Sequence, residues 1–203
     1  MRRRRRLVTR FVPLCLAALA ALVWQFGPFQ SVQAIASLSD PTKLRTLGER
    51  GANARLNKIV YWLDQARQSR LSAETAIEWA QTWNGVRGEH ASFVKASLLR
   101  NLKIADELGL LTRENQRTLR LGRAAIVTRG PYAGETAEID HIVPYSLAPE
   151  AGNELANLEM LPKSLNRQKS DRVEDRQLAH AEKLFEAKLL TKESLVRVKA
   201  ASK

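Results

Sequence analysis

From Pro41 to about Leu121 apolar residues recur every three or four positions, a period that fits helices and excludes strands over this whole stretch. Leu44, Leu47, Leu56, Ile59, Val60 and Leu63 form one stripe. Ser72 stands where an N-cap opens a second helix holding Ala76, Ile77, Trp79 and Ala80, and Asn84-Gly85 ends it. A third helix runs from about His90 through Phe93, Val94, Leu98, Leu102 and Ile104 to Leu108, where Gly109 supplies the left-handed C-terminal position. Thr112 caps a short fourth. Pro, Gly and Ser do not cluster into a flexible linker, so this region is expected to pack on the C-terminal part of the chain. Trp62, Trp79 and Trp83, at helical spacing among leucines and alanines, read as core rather than as a base-stacking platform. His90 and His180 fall in helical stretches without acidic or cysteine neighbours at metal-ligand spacing, and read as structural or surface residues.

The pattern breaks at Arg129-Gly130-Pro131-Tyr132-Ala133-Gly134, a turn-rich stretch. Glu138 to Pro144 then sets β-branched residues around an adjacent acid and histidine, Asp140-His141, and reads as a short strand. After a polar loop with Pro149 and Gly152, Asn157 to Leu161 reads as the returning strand, and Pro162 is suited to start a helix carrying Asn166 and Lys169. Between 174 and 203, Leu178, Leu184, Phe185, Leu189, Leu190 and Leu195 suggest two packing helices with Thr191 as a cap between them. The expected class is α+β, mainly α-helical. A helical region (35–128) packs with a β-hairpin-plus-helix module (129–175) followed by C-terminal helices (176–203).

The ordered set Asp140-His141-Ile142-Val143-Pro144, Asn157-Leu158, Asn166 and Lys169 resembles the His-Asn-His (HNH) endonuclease motif. In that motif an Asp-His pair is followed by Asn-Leu, then by His or Asn nine residues on and by Lys three further. The resemblance spans about 35 residues, 138 to 172, and leaves the upstream helices unexplained. It implies a ββα-metal nuclease fold and phosphodiester hydrolysis, with Asn157 fixing the loop that holds His141. Two features depart from the commonest pattern. Pro162 and Leu165 stand where many members carry structural zinc-binding cysteines, so no structural zinc is expected. Asn166 replaces a final histidine, as in a recognised subset.

These residues suit that chemistry, which needs an activated water and a cation to stabilise charge on the phosphate. His141, with an ordinary pKa near 6.5, is the side chain able to accept a proton from water at neutral pH, and is the expected general base. Asp140 and the amide oxygen of Asn166 are hard ligands for one divalent ion, Mg²⁺ or Mn²⁺ rather than zinc. Lys169, Arg167 and Arg172 fall near the same helix, with Arg129 across from it, as candidate phosphate contacts. The expected partner is nucleic acid, DNA ahead of RNA, with no small-molecule cofactor.

The chain opens on Arg2 to Arg6 followed by an apolar run, residues 11 to 24, and Ser31-Val32-Gln33-Ala34 resembles a signal-peptidase site. Residues 1–34 therefore read as a signal peptide cleaved near Ala34, giving a secreted or periplasmic body. The alternative is a membrane anchor using residues 11–29, with the body outside the cytoplasm. Arg2 to Arg6 and Arg10 account for half of the formal net charge of +12, so the rest of the chain is basic but moderately so. Cys15, the single cysteine, lies in this leader, which excludes a disulfide or cysteine-ligated zinc in the body. Two other readings remain open: a protein that keeps the nuclease fold to bind nucleic acid, and a tethered DNA-uptake factor.

Overall fold

The computed structural model describes residues 27–202. Arg2 to Arg6, Arg10 and the apolar run of residues 11 to 24, read as a leader, lie outside the described residues. The helical part comprises α1 (Pro28–Ser39), α2 (Pro41–Arg45), α3 (Gly51–Gln68), α4 (Ala73–Trp83), α5 (Gly88–Glu107) and α6 (Arg113–Arg120). Strands β1 (Ala137–His141) and β2 (Leu158–Pro162) form an antiparallel pair. Helices α7 (Lys163–Lys169), α8 (Asp175–Glu186) and α9 (Lys192–Ala201) complete the chain. The architecture is the mainly helical α+β arrangement expected, a hairpin and helix set against a helical body. Among the described residues, no helix is long and apolar enough to cross a membrane.

Local chemistry sets the boundaries. Ser72, Thr112 and Thr191 each accept a backbone N–H of the first turn of α4, α6 and α9, as their positions in the sequence foretell. Gly109 takes a positive φ after α5. The stripe from Leu44 to Leu63 divides into α2 and α3, with Leu56, Ile59, Val60 and Leu63 sealed in one continuous core. That core also takes Ile77, Leu98, Leu102, Leu119, Leu158 and Met160, so the helices and the hairpin share it. Helix α1 starts inside the segment read as leader. It buries Ser31, Val32, Ile35 and Ala36 against α3 and α4, and Ala34 falls in its middle.

The tryptophans correct one expectation. Trp62 is partly buried against the core, but Trp79 and Trp83 are 40% and 48% exposed. Helix α4 turns Ala76, Ile77 and Ala80 inward, which leaves positions 79 and 83 on its flank.

Two asparagines from helices join the hairpin to the body. Asn101 of α5, fully buried, donates to Leu158 O (2.9 Å) and accepts from Met160 N (2.8 Å), pairing with the outer edge of β2 as a neighbouring strand would. Ser97, one turn earlier, donates to Leu155 O (2.9 Å). On the other edge Asn53 of α3 donates to Ile139 O (3.4 Å).

Candidate active site

Strand β1 carries Glu138 and Asp140 two residues apart, hence on one face, and α7 lays Asn166 and Lys169 across it. Asn166 Nδ2 donates to Glu138 Oε2 (2.8 Å). The Lys169 ammonium is held between the Asp140 carboxylate and the carbonyl oxygen of His141, and only 12% of its side chain is exposed. A cation therefore already sits on Asp140 in this structure. Helix α7 is itself anchored to β1's approach, since Glu135 accepts from Ser164 N (2.9 Å) at its first turn.

The start of the loop after β1 is fastened by Asn157. Asn157, fully buried, accepts from Val143 N (2.8 Å) and donates to Val143 O (3.1 Å) and Ala151 O (3.3 Å). Its own carbonyl accepts from Ile142 N (2.8 Å). This explains why β1 ends at His141 although the β-branched pattern runs on to Val143: the Asn157 amide takes both backbone groups of Val143 that a strand would use. The His141 ring is fixed in turn. Its Nε2 lies 2.8 Å from Gly152 O, so Nε2 carries the proton and donates, leaving Nδ1 with no hydrogen bond among the described residues. Tyr145 packs beside the ring at 5.7 Å between centroids. Burial pulls the His141 pKa below its ordinary value, helped by the positive charges of Arg50 and Lys169. The Gly152 carbonyl and Asp140 act in the opposite direction.

The structure thus places Asp140, His141, Asn157 and Lys169 at the loop end of the hairpin, while Asn166, one turn before Lys169, bonds Glu138 rather than Asp140. The arginines separate. Arg172 is exposed and lines a cleft of about 290 Å³ with Lys169 and Arg176, Arg167 is exposed on α7, and Arg129 is tied to Asp106 O (3.4 Å) at the C-terminal end of α5. Sequence reasoning missed three residues of this region. Glu138 was legible in principle, because position i−2 on a strand shares the face of Asp140. Glu159 lies opposite Asp140 across the hairpin and is 1% exposed. Two carboxylates so placed repel, and each is answered by its own cation, Lys169 on Asp140 and Arg176 on Glu159. Arg50, at the N-terminus of α3, reaches the neighbourhood of His141 through a fold contact that no motif announces.

His90 and His180 have structural surroundings. His90 Nε2 is 3.5 Å from Glu154 Oε2, an acidic partner distant in sequence. His180 is buried against Phe93 with Nε2 3.0 Å from Ala156 O.

Comparison of the chain with protein-family models, with curated proteins and with solved structures gives no match.

Proposed function

We propose that the protein is a metal-dependent nuclease, and specifically an endonuclease of the His-Asn-His type that hydrolyses phosphodiester bonds in nucleic acid, DNA ahead of RNA. The observation that carries this reading is the division of labour at the end of β1. One imidazole is locked through Nε2 with Nδ1 left over, next in sequence to Asp140, whose face of β1 meets Asn166 and Lys169 of α7. Burial favours the neutral imidazole, so Nδ1 of His141 is able to take the proton of an attacking water at neutral pH. Asn157 is a positioning residue: it fixes the loop from Ile142 to Ala151 and so the Gly152 carbonyl that orients His141.

The oxygen donors fit a hard divalent cation. Asp140 already binds a cation, the Lys169 ammonium, and Glu138 on the same face of β1 accepts from Asn166 Nδ2 (2.8 Å). Asp140 and Asn166, with Glu138 beside them, would hold one Mg²⁺ or Mn²⁺, which when bound would supply positive charge for the phosphate oxygens. Lys169, Arg172 and Arg167 supply cationic side chains for flanking phosphates, a contact that does not read sequence.

The test is cleavage of supercoiled plasmid by the full chain at low salt, after stripping with EDTA and after return of Mg²⁺ or Mn²⁺, beside His141→Ala. Cutting that needs metal and is lost in a folded His141→Ala variant supports the assignment. Retention of plasmid without cutting of DNA or RNA under either metal replaces it by nucleic-acid binding.

A further inference from the structure

Helix α1 makes the segment before residue 40 part of the folded body. Val32 and Ile35 are wholly buried, and α1 makes the body's most extensive helix contacts, with α3 and α4. Cleavage after Ala34 would cut this helix in two, strip Ser31 and Val32 from the core and leave a charged amino group on the buried Ile35. An apolar run from Phe11 leads up to α1, 17 residues if it continues through Gln25 to Gly27, at the lower limit of the length that spans a bilayer.

Where α1 begins, the body carries two of its exposed aromatics, Trp79 and Trp83, beside the half-buried Phe29. Phe29, in the first turn of α1, stacks on Trp79 at 5.8 Å between centroids and 18° between planes. Trp83 stands one turn beyond Trp79 on the same flank of α4. Tryptophan at this degree of exposure, next to the point where an apolar segment of bilayer length joins the body, suits the headgroup layer, where an aromatic ring keeps one part apolar and its N–H wet. We propose that the N-terminal segment is retained and that Phe29, Trp79 and Trp83 form the face that rests on a lipid bilayer.

The orientation of the helices gives this placement a consequence. Arg55 of α3 donates to Ser37 O (3.2 Å) and Leu38 O (3.3 Å), so the C-terminal end of α1 lies by the N-terminal end of α3. The same end of α3 holds the loop of the candidate site, through Ala52 N on Asn153 Oδ1 (3.0 Å) and Asn53 on Ile139 O. Phe29 lies nine residues before Leu38, so α1 carries it about 14 Å from that end. Trp83 lies nearer the site end, because its neighbour Asn84 donates to Ala36 O (2.9 Å), so the aromatic face runs along the flank of the body; six leader arginines favour the cytoplasmic side, with the body across the membrane. The inference stands on α1 and the aromatics, and holds whether or not the site is hydrolytic.

The experiment uses the full chain expressed in bacterial cells. The intact mass of the membrane fraction is expected to be that of the whole sequence, 22.8 kDa before any removal of the initiator. A Trp24→Phe form is then reconstituted into vesicles of zwitterionic and anionic lipids brominated close to the headgroups. Its tryptophan emission is expected to fall about twofold relative to unbrominated vesicles, and this quenching to disappear when Trp79→Phe and Trp83→Phe are added. A soluble species beginning at Ile35 overturns the proposal. So does quenching unchanged in the triple variant, or a dimer in detergent that the two substitutions dissociate, which would assign the aromatic face to a second copy.

Discussion

Replacing Asn101 by alanine tests whether the hairpin is held to the helical body by the pairing of this side chain with the edge of β2. The substitution removes the acceptor of the buried Met160 N–H and the best donor to Leu158 O, which keeps only the longer contacts from Ser97 Oγ (3.5 Å) and Arg100 (3.4 Å). Leaving one buried backbone donor unpaired costs about 1–3 kcal/mol and losing the second bond about 1 kcal/mol, so the expected destabilisation is about 3 kcal/mol. At a urea dependence of about 2 kcal/mol/M this moves the unfolding midpoint down by about 1.5 M. Far-UV circular dichroism in urea measures it, with an unchanged slope showing that the transition stays a single one. Amide exchange gives the local signature: the Met160 N–H should lose protection more than its neighbours on β2. Asn101→Asp keeps the acceptor for Met160 but places an oxygen against Leu158 O, so it should also destabilise. A loss below about 1 kcal/mol in the alanine variant, or Met160 protection equal to wild type, refutes the pairing as a fastening.

Three further outcomes are expected. His180, whose pKa burial lowers to about 4, with Arg100, Arg176 and Lys183 adding to the effect, is neutral in the folded state; its contribution is present above the unfolded value of 6.5 and is lost as pH falls from 6.5 to 4, up to about 3 kcal/mol. Urea midpoints between pH 7 and 4 should therefore fall less in His180→Gln, and an identical slope in both proteins would count against it; the lowered pKa of His141 acts in the same direction in both. Gly152→Ala would set a Cβ 2.5 Å from Tyr145 Cε2, so the ring must move and the carbonyl on His141 with it. Plasmid cutting should fall at least about tenfold while stability changes by only about 1–3 kcal/mol, and undiminished cutting would remove the Gly152 carbonyl from the mechanism. Lys169→Met frees Asp140 from its ammonium, so Mn²⁺ should bind more tightly by titration calorimetry while cutting weakens; weaker Mn²⁺ binding would mean that Lys169 positions the donors rather than competing for them.

The hairpin and α7 were legible because β-branched residues flank Asp140-His141, Asn157 to Leu161 reads as a returning strand and Pro162 suits a helix start, and the helix starts were legible because a cap is a local event. What the sequence withheld is long-range. Helical spacing places Trp79 and Trp83 near an apolar stripe without saying how wide the buried part is, and here Ala76, Ile77 and Ala80 fill it. Asn101 and Asn53 read as ordinary polar residues within helices, and their role exists only once β1 and β2 lie beside them. The pairing of Glu159 with Arg176 is likewise a product of packing α8 on the hairpin. The helix from Pro28 was hidden because a small-residue cleavage pattern and a buried helix face share residues, Ser31 and Val32.

A two-stranded sheet has two raw edges, each able to recruit a strand from another molecule. Here helix asparagines occupy groups on both, Asn101 on β2 and Asn53 on β1. The segment Leu158 to Pro162, apolar but for Glu159, is thereby kept from self-templating only while α5 is docked. During biosynthesis α5 is made first, so the protector exists before the strand it protects. A chain damaged in α5 would instead release a sticky edge, and its losses should appear as aggregates rather than as inactive monomer.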